Sequence, residues 1–218
     1  VIDAFRAAIR QNHAIGVAFL KELQGLRTAQ DHTLLDLWLL IVLHSLDQFT
    51  KPAELLLKKK LSSGRLSQKL VSRACCDASA AVLEHFFSSV MAIASRFLGN
   101  AVASIQAFSK TVFERGFLLF GDDFHRQEIL RTLLLHFGSG TKAETAAALD
   151  VFFRLTEVNA PLLLRYQIFF QGLLDYTSHL LQDQVEKVYL LLCNLAFHPS
   201  NAETALREPS VPTRNLDS

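Results

Sequence analysis

Apolar residues recur along most of the chain at intervals of three and four positions, the spacing of one face of an α-helix. The pattern opens with Ile2, Phe5 and Ile9 and continues to Phe197. This period predicts an almost wholly helical chain without a β-sheet.

Residues that begin and end helices divide this pattern. Thr33, with Asp36 three positions later, predicts a capped helix start, Pro52 suits a first helical turn, and Ser63-Gly64 suits a helix end. In the first half we expect helices at about 2–12, 15–26, 33–46, 52–63 and 67–76.

The second half is more regular, and its helices are separated by short polar turns. Here we expect helices at about 79–98, 101–120, 122–137 and 141–158, another that starts at Asn159 and Pro161, and a last one that starts at Asp183 and ends near Phe197. Their predicted caps are Asp122, the pair Thr141 and Glu144, Asn159 with Pro161, and the pair Asp183 and Glu186.

Helix pairs starting near residues 79, 122 and 161 indicate a repeat of about 40 residues. At that offset Val151 matches Leu191 and Leu155 matches Leu195. We therefore predict an all-α fold, an α-solenoid of antiparallel helix pairs of the HEAT or armadillo kind over 1–197. A closed helical bundle is the alternative. The proline-containing segment 198–218 has few large apolar residues and is predicted to be a disordered tail.

The last helix of the pattern is apolar on two sides. Val185, Val188, Tyr189, Leu192, Leu195 and Ala196 form one face, and Leu190, Leu191 and Cys193 form another. Only Glu186, Lys187 and Asn194 remain for solvent, which predicts an inner helix that is covered on both sides. On this interpretation, an aspartate at Leu192 should unfold the last helix pair.

Composition limits the class of protein. Among 218 residues, half are apolar, with 17 Phe and only 9 Gly and 5 Pro, and the net charge is +1. Any nucleic-acid contact must therefore be a local patch. The three cysteines form no disulfide framework, which favours a reducing intracellular setting. The longest apolar run, Leu37 to Leu43, is too short to span a membrane, and no signal peptide is visible. Because the chain opens within a helical pattern, we expect it to be a fragment.

The clearest local charge signal is a basic segment from Lys51 to Arg73, with seven cations and one acid, Glu54, in 23 residues. Long basic side chains at such positions can simply cover apolar neighbours on a solvated helix face. They can also contact phosphates, without base stacking because the segment has no aromatic residue. The candidate DNA-binding residues are Lys58, Lys59, Lys60, Arg65, Lys69 and Arg73.

Four other features are better explained by structure than by chemistry. Gly138 to Lys142 lacks the order of a phosphate-binding loop, and the acidic residues around Asp122 suit a helix N-terminus better than a metal. Gln182 to Tyr189 loosely resembles a sliding-clamp peptide but fits a helix core face. No catalytic motif frames the eight scattered histidines. We predict no enzyme activity and no cofactor.

Five sequence blocks occur in the order and spacing of one known family over roughly residues 2–200. They are Ala8-Ile9-Arg10, LLKKKLSSG (Leu56–Gly64), ALDVFFRL (Ala148–Leu155), GLLDY (Gly172–Tyr176) and QDQVEKVYLLLCNLAF (Gln182–Phe197). On these blocks the chain resembles the Fanconi anaemia group D2 family and, more remotely, its group I paralogue. The match is to the helical arm that precedes the ubiquitin-acceptor lysine.

The resemblance implies a nuclear, non-enzymatic scaffold in the repair of DNA interstrand crosslinks. Such a protein pairs with the group I paralogue in a clamp around double-stranded DNA, and a ubiquitin ligase complex regulates the clamp by monoubiquitination. The family's acceptor lysine lies beyond the last match, and 198–218 contains no lysine. We therefore expect no site-specific ubiquitination of this chain, including at Lys187. A generic HEAT-like protein-interaction adaptor is the alternative function.

Overall fold

The structure, a computed structural model, describes residues 2–75 and 80–198. Within these ranges the regular structure is helical, with one short 3₁₀ turn at Thr177–His179 and no strand. This confirms the all-α solenoid class predicted from the sequence. The predicted tail lies outside the described residues, apart from His198. The helices are α1 (Ile2–Gln11), α2 (His13–Gly25), α3 (Leu34–His44), α4 (Thr50–Ser62), α5 (Gln68–Ala74), α6 (Ala80–His85), α7 (Phe87–Leu98), α8 (Ala103–Leu119), α9 (Asp123–Phe137), α10 (Lys142–Leu164), α11 (Gln167–Leu174) and α12 (Gln182–Ala196).

The chain divides into two compact units, 1–151 and 152–218, and the division falls within α10. In the first unit, helices that are adjacent in sequence pack together, including α3 with α4 and α7 with α8. α8 also packs against α5 and α4, which brings the basic segment beside it. In the second unit, α11 packs against α12.

Several predicted helix ends are confirmed by their hydrogen bonds. The Asp36 carboxylate accepts from the Thr33 backbone N–H at 2.6 Å, and the Asp122 carboxylate accepts from the His125 N–H at 3.0 Å. Gly64, just after α4, has φ +70°, a left-handed conformation that few residues other than glycine adopt. Cap chemistry is local, which explains why it can be read from sequence.

Two predicted caps are wrong. The Thr141 N–H donates to Ser139 Oγ at 3.2 Å, while the Glu144 carboxylate contacts His136 instead of closing a capping box. The last helix begins one residue before Asp183, and the Gln184 side chain accepts from the Leu181 N–H at 3.1 Å.

One predicted helix is interrupted in the structure, and the helix start predicted at Asn159 and Pro161 is confirmed. The predicted helix over 79–98 is interrupted at Phe86, so that α6 and α7 are separate. Both Phe86 and Phe87 are buried, whereas successive side chains on a straight helix diverge by about 100°. Within α10, Asn159 has non-helical φ −155° and its side chain accepts from the Leu162 N–H at 3.2 Å. This agrees with the predicted helix start at Asn159 and Pro161.

The prediction that the last helix is covered on both sides is wrong for the described residues. α12 buries one face, formed by Gln184, Val188, Leu191 and Leu195. Tyr189 and Leu190 are 56% and 52% exposed, and Leu192 is only half-buried. The apolar character of α12 is therefore broader than the face that packs, and Leu192 does not lie at the centre of the buried stripe.

Two glycines in α2 give the first testable prediction. A Cβ atom at Gly16 would lie 2.2 Å from Phe49 Cζ, whereas one at Gly25 would meet nothing within 4 Å. Phe49 is buried and its ring stacks on His13, so it cannot retreat easily. Gly16→Ala should destabilise the chain by roughly 1–3 kcal/mol. Gly25→Ala should be neutral or stabilising by up to about 1 kcal/mol. Urea unfolding curves that respond equally to both changes would contradict this packing.

Candidate functional site

The basic segment extends over α4, the turn after it and α5. Lys58, Lys59, Lys69 and Arg73 are exposed, and Arg65 is half-buried. The only acid of the segment, Glu54, pairs with Arg96 of α7 at 3.1 Å. The exposed cations of the basic segment are therefore not neutralised by Glu54 and can pair with an external anion.

Lys60 does not belong to this exposed patch, and its prediction as a DNA-facing residue is wrong. Its side chain is only 1% exposed. Nζ donates to the carbonyl oxygen of Leu26 at 3.2 Å and lies 3.1 Å from His32 Nε2. Helical spacing turns Lys60 about 100° away from Lys59, towards the core. Lys60 therefore fixes the segment between α2 and α3 against α4.

The surroundings of Lys60 disfavour positive charge. Burial and the nearby Arg65 lower the pKa of Lys60, and burial and the Lys60 cation lower the pKa of His32. A neutral His32 can accept a hydrogen bond from Lys60 at Nε2. Its Nδ1 then carries the proton and lies 3.8 Å from the Asp36 carboxylate. Lys60, His32 and the Leu26 carbonyl oxygen thus form a buried polar cluster that connects α4 to the segment before α3.

Lys69 and Arg73 line a groove of about 410 Å³ between α5 and α8, together with Arg115 from α8. Its remaining walls are Ser72, Cys75, Leu118 and Leu119. We refer to these residues as the α5–α8 groove. Arg115 was missed by the sequence analysis because it is 42 positions after Arg73 and outside any charge run. Only the packing of α5 on α8 brings it to the basic segment.

Gln68 helps to hold the two walls of this groove together. Its Nε2 donates to the carbonyl oxygen of Ala107 at 3.2 Å and also contacts Thr111 Oγ1. Ser67 caps α5, because its hydroxyl accepts from the Leu70 N–H at 3.2 Å. These contacts position Lys69 and Arg73 one helical turn apart on the same face of α5.

A second polar cluster joins three helices of the first unit. Ser95 Oγ of α7 lies 2.5 Å from His136 Nε2 of α9, and His136 Nδ1 lies 3.1 Å from the Glu144 carboxylate of α10. The connectivity resembles that of a serine hydrolase triad. Ser95 is inside α7, however, where neighbouring backbone N–H groups bond within the helix and cannot form an oxyanion hole. The cluster is best explained as a structural joint.

The remaining sequence candidates have structural explanations. Asp122 caps α9, and its second carboxylate oxygen lies 2.7 Å from His125 Nδ1. Gly138 to Lys142 connects α9 and α10, and Gln182 to Tyr189 is helical with Val188 buried. In the described ranges, no group of three or more His, Cys, Asp or Glu residues is placed to hold a metal ion. Among the same residues, no helix combines the length and apolarity needed to cross a bilayer.

Comparisons with known proteins agree with the resemblance read from the sequence. A family model described as "Fanconi anaemia protein FancD2 nuclease" matches residues 1–207. The Fanconi anemia group D2 protein of Gallus gallus is 30% identical over 198 residues, which are 90% of this chain and 14% of that protein. The homologues from Mus musculus and Rattus norvegicus are 30% and 28% identical over the same shares of chain and protein. The chain thus spans 14% of the length of the curated relatives that it matches.

Proposed function

The chain belongs to the Fanconi anaemia FancD2 family, and from that membership we propose that it is part of a non-enzymatic scaffold in the repair of DNA interstrand crosslinks. The observation that carries the proposal is the family match over nearly the whole chain. The all-helical fold supports it, since stacked helices provide extended surfaces for partners.

We further propose the setting in which this scaffold acts. It works in the nucleus, pairs with the group I paralogue, and encloses double-stranded DNA in a clamp controlled by a ubiquitin ligase complex. By the resemblance, the family's acceptor lysine lies beyond the last matched block, so we assign the acceptor role to no lysine of residues 1–218. We assign no catalytic step to this segment, although the word nuclease stands in the family description.

For the duplex contact we propose Lys58 and Lys59 on α4. Both side chains are exposed, and no ion pair is formed by either within the described part of the chain. Arg65 is half-buried and is a secondary candidate. Cations that approach DNA phosphates release condensed counterions, so binding should be independent of base sequence and sensitive to salt.

This proposal predicts a change in salt dependence. The double variant Lys58→Glu, Lys59→Glu should bind a duplex more weakly, and the slope of log affinity against log salt concentration should fall by about two units. Fluorescence anisotropy with a labelled duplex over a range of salt concentrations measures both quantities.

The matched control is the double variant Lys21→Glu, Lys142→Glu. It changes the net charge by the same amount at two exposed lysines outside the basic segment. This variant should keep most of the slope, since neither residue lies in the basic segment. An equal loss in both double variants would show that only net charge matters. Wild-type slope and affinity in the Lys58, Lys59 variant would contradict the assigned contact.

A further inference from the structure

We propose that the α5–α8 groove binds an acidic peptide segment of a partner protein, with a large apolar residue between its acidic residues. The inference concerns Lys69, Arg73 and Arg115, and it stands apart from the duplex contact proposed for α4. The proposed occupant of the groove is a peptide, whereas the proposed ligand of α4 is DNA.

Charge is the first argument. Lys69, Arg73 and Arg115 are all exposed, and they converge on one groove. In residues 2–75 and 80–198, none of the three forms an ion pair. Three cations held close together repel one another, and a ligand with carboxylates relieves that repulsion. The arginines can also bind carboxylates through two parallel hydrogen bonds.

The second argument is the composition of the wall opposite α5. Leu118 and Leu119 line the groove and are each partly exposed. A sugar-phosphate backbone has no large apolar side chain to cover them. A leucine or phenylalanine of a peptide would remove this apolar surface from water, which favours binding.

Shape is the third argument. The groove is concave and its volume of about 410 Å³ lies within the usual range for sites that accept small ligands or a few side chains. The convex cylinder of a duplex would touch the rim of such a groove and leave its leucines in water. Peptide side chains can enter it, which favours a peptide over DNA as the occupant.

The test uses the whole chain and a short fluorescein-labelled peptide in which two central leucines are flanked on both sides by glutamates. A second peptide of equal charge has serines in place of the leucines. We expect the leucine peptide to bind in fluorescence anisotropy and the serine peptide to bind roughly tenfold or more weakly. The double variant Lys69→Glu, Arg115→Glu should lower the affinity for the leucine peptide by at least about tenfold.

The variant Lys58→Glu, Lys59→Glu is the matched control, because it makes the same charge change outside the groove. It should leave peptide binding unchanged while it weakens duplex binding, so failure of the two proposals can be distinguished. The milder variant Arg115→Gln removes one positive charge without introducing a negative one, and it should still lower the affinity for the leucine peptide. Its melting curve shows whether the variant is folded. Equal binding of both peptides, equal loss in both double variants, or a groove variant that loses duplex binding but not peptide binding would overturn the inference.

Discussion

Lys60→Glu should lower the free energy of unfolding by roughly 3–5 kcal/mol, the usual scale for an uncompensated buried charge. Lys60 is almost fully buried, and its Nζ donates to the Leu26 carbonyl oxygen. A carboxylate can only accept hydrogen bonds, so the variant would place two acceptors against each other. It would also add a second negative charge near Asp36, whose carboxylate lies 3.8 Å from His32.

The matched control for this prediction is Lys59→Glu, which makes the same change one position earlier on an exposed side chain. It should alter the free energy of unfolding by no more than about 0.5 kcal/mol. Chemical denaturation should be measured well above the ordinary histidine pKa of about 6.5, so that His32 cannot compensate by binding a proton. Equal stability of the two variants would show that the Lys60 side chain points into solvent.

Leu191→Asp is expected to destabilise the second unit by roughly 3–5 kcal/mol. Leu191 is fully buried in the face by which α12 packs. A carboxylate at this position would be removed from water together with the rest of the buried face. The charged group must therefore lose its hydration or become protonated, and both carry a cost.

The neighbouring change Leu190→Asp controls for helix propensity and net charge. Leu190 is 52% exposed, so this variant should unfold within about 0.5 kcal/mol of wild type. Leu192→Asp should fall between the two, since Leu192 is half-buried. Thermal melting followed by circular dichroism gives the order. If Leu190→Asp destabilises the chain more than Leu191→Asp does, α12 buries a different face from the one that includes Leu191.

The helical class and many helix ends could be predicted because their causes are local. The three-to-four residue period specifies helices, and the contacts of Thr33 with Asp36 and of Asp122 with His125 lie within one turn. The same reasoning failed at Thr141 and Glu144. There, the carboxylate is used by His136, a residue on a different helix that local sequence does not bring close.

The candidate site was predicted less completely, because charge in a sequence does not reveal burial. Lys58, Lys59 and Lys60 look equivalent in the chain, yet packing of the segment before α3 buries only the third. Arg115 carries no local signal and joins the α5–α8 groove through tertiary packing alone. The exposed side of α12 was also predicted wrongly, because the apolar character of a helix face does not show whether another helix packs against it.

The role in crosslink repair is tested most directly by exchanging this segment into a relative. The matching part of the Gallus gallus group D2 protein would be replaced by this chain and expressed in chicken cells that lack the native protein. The account predicts restored survival after treatment with an interstrand crosslinking agent, and no rescue when the exchanged segment carries Leu191→Asp. A chimera that accumulates normally in the nucleus but leaves survival at the level of deficient cells would contradict the proposed function.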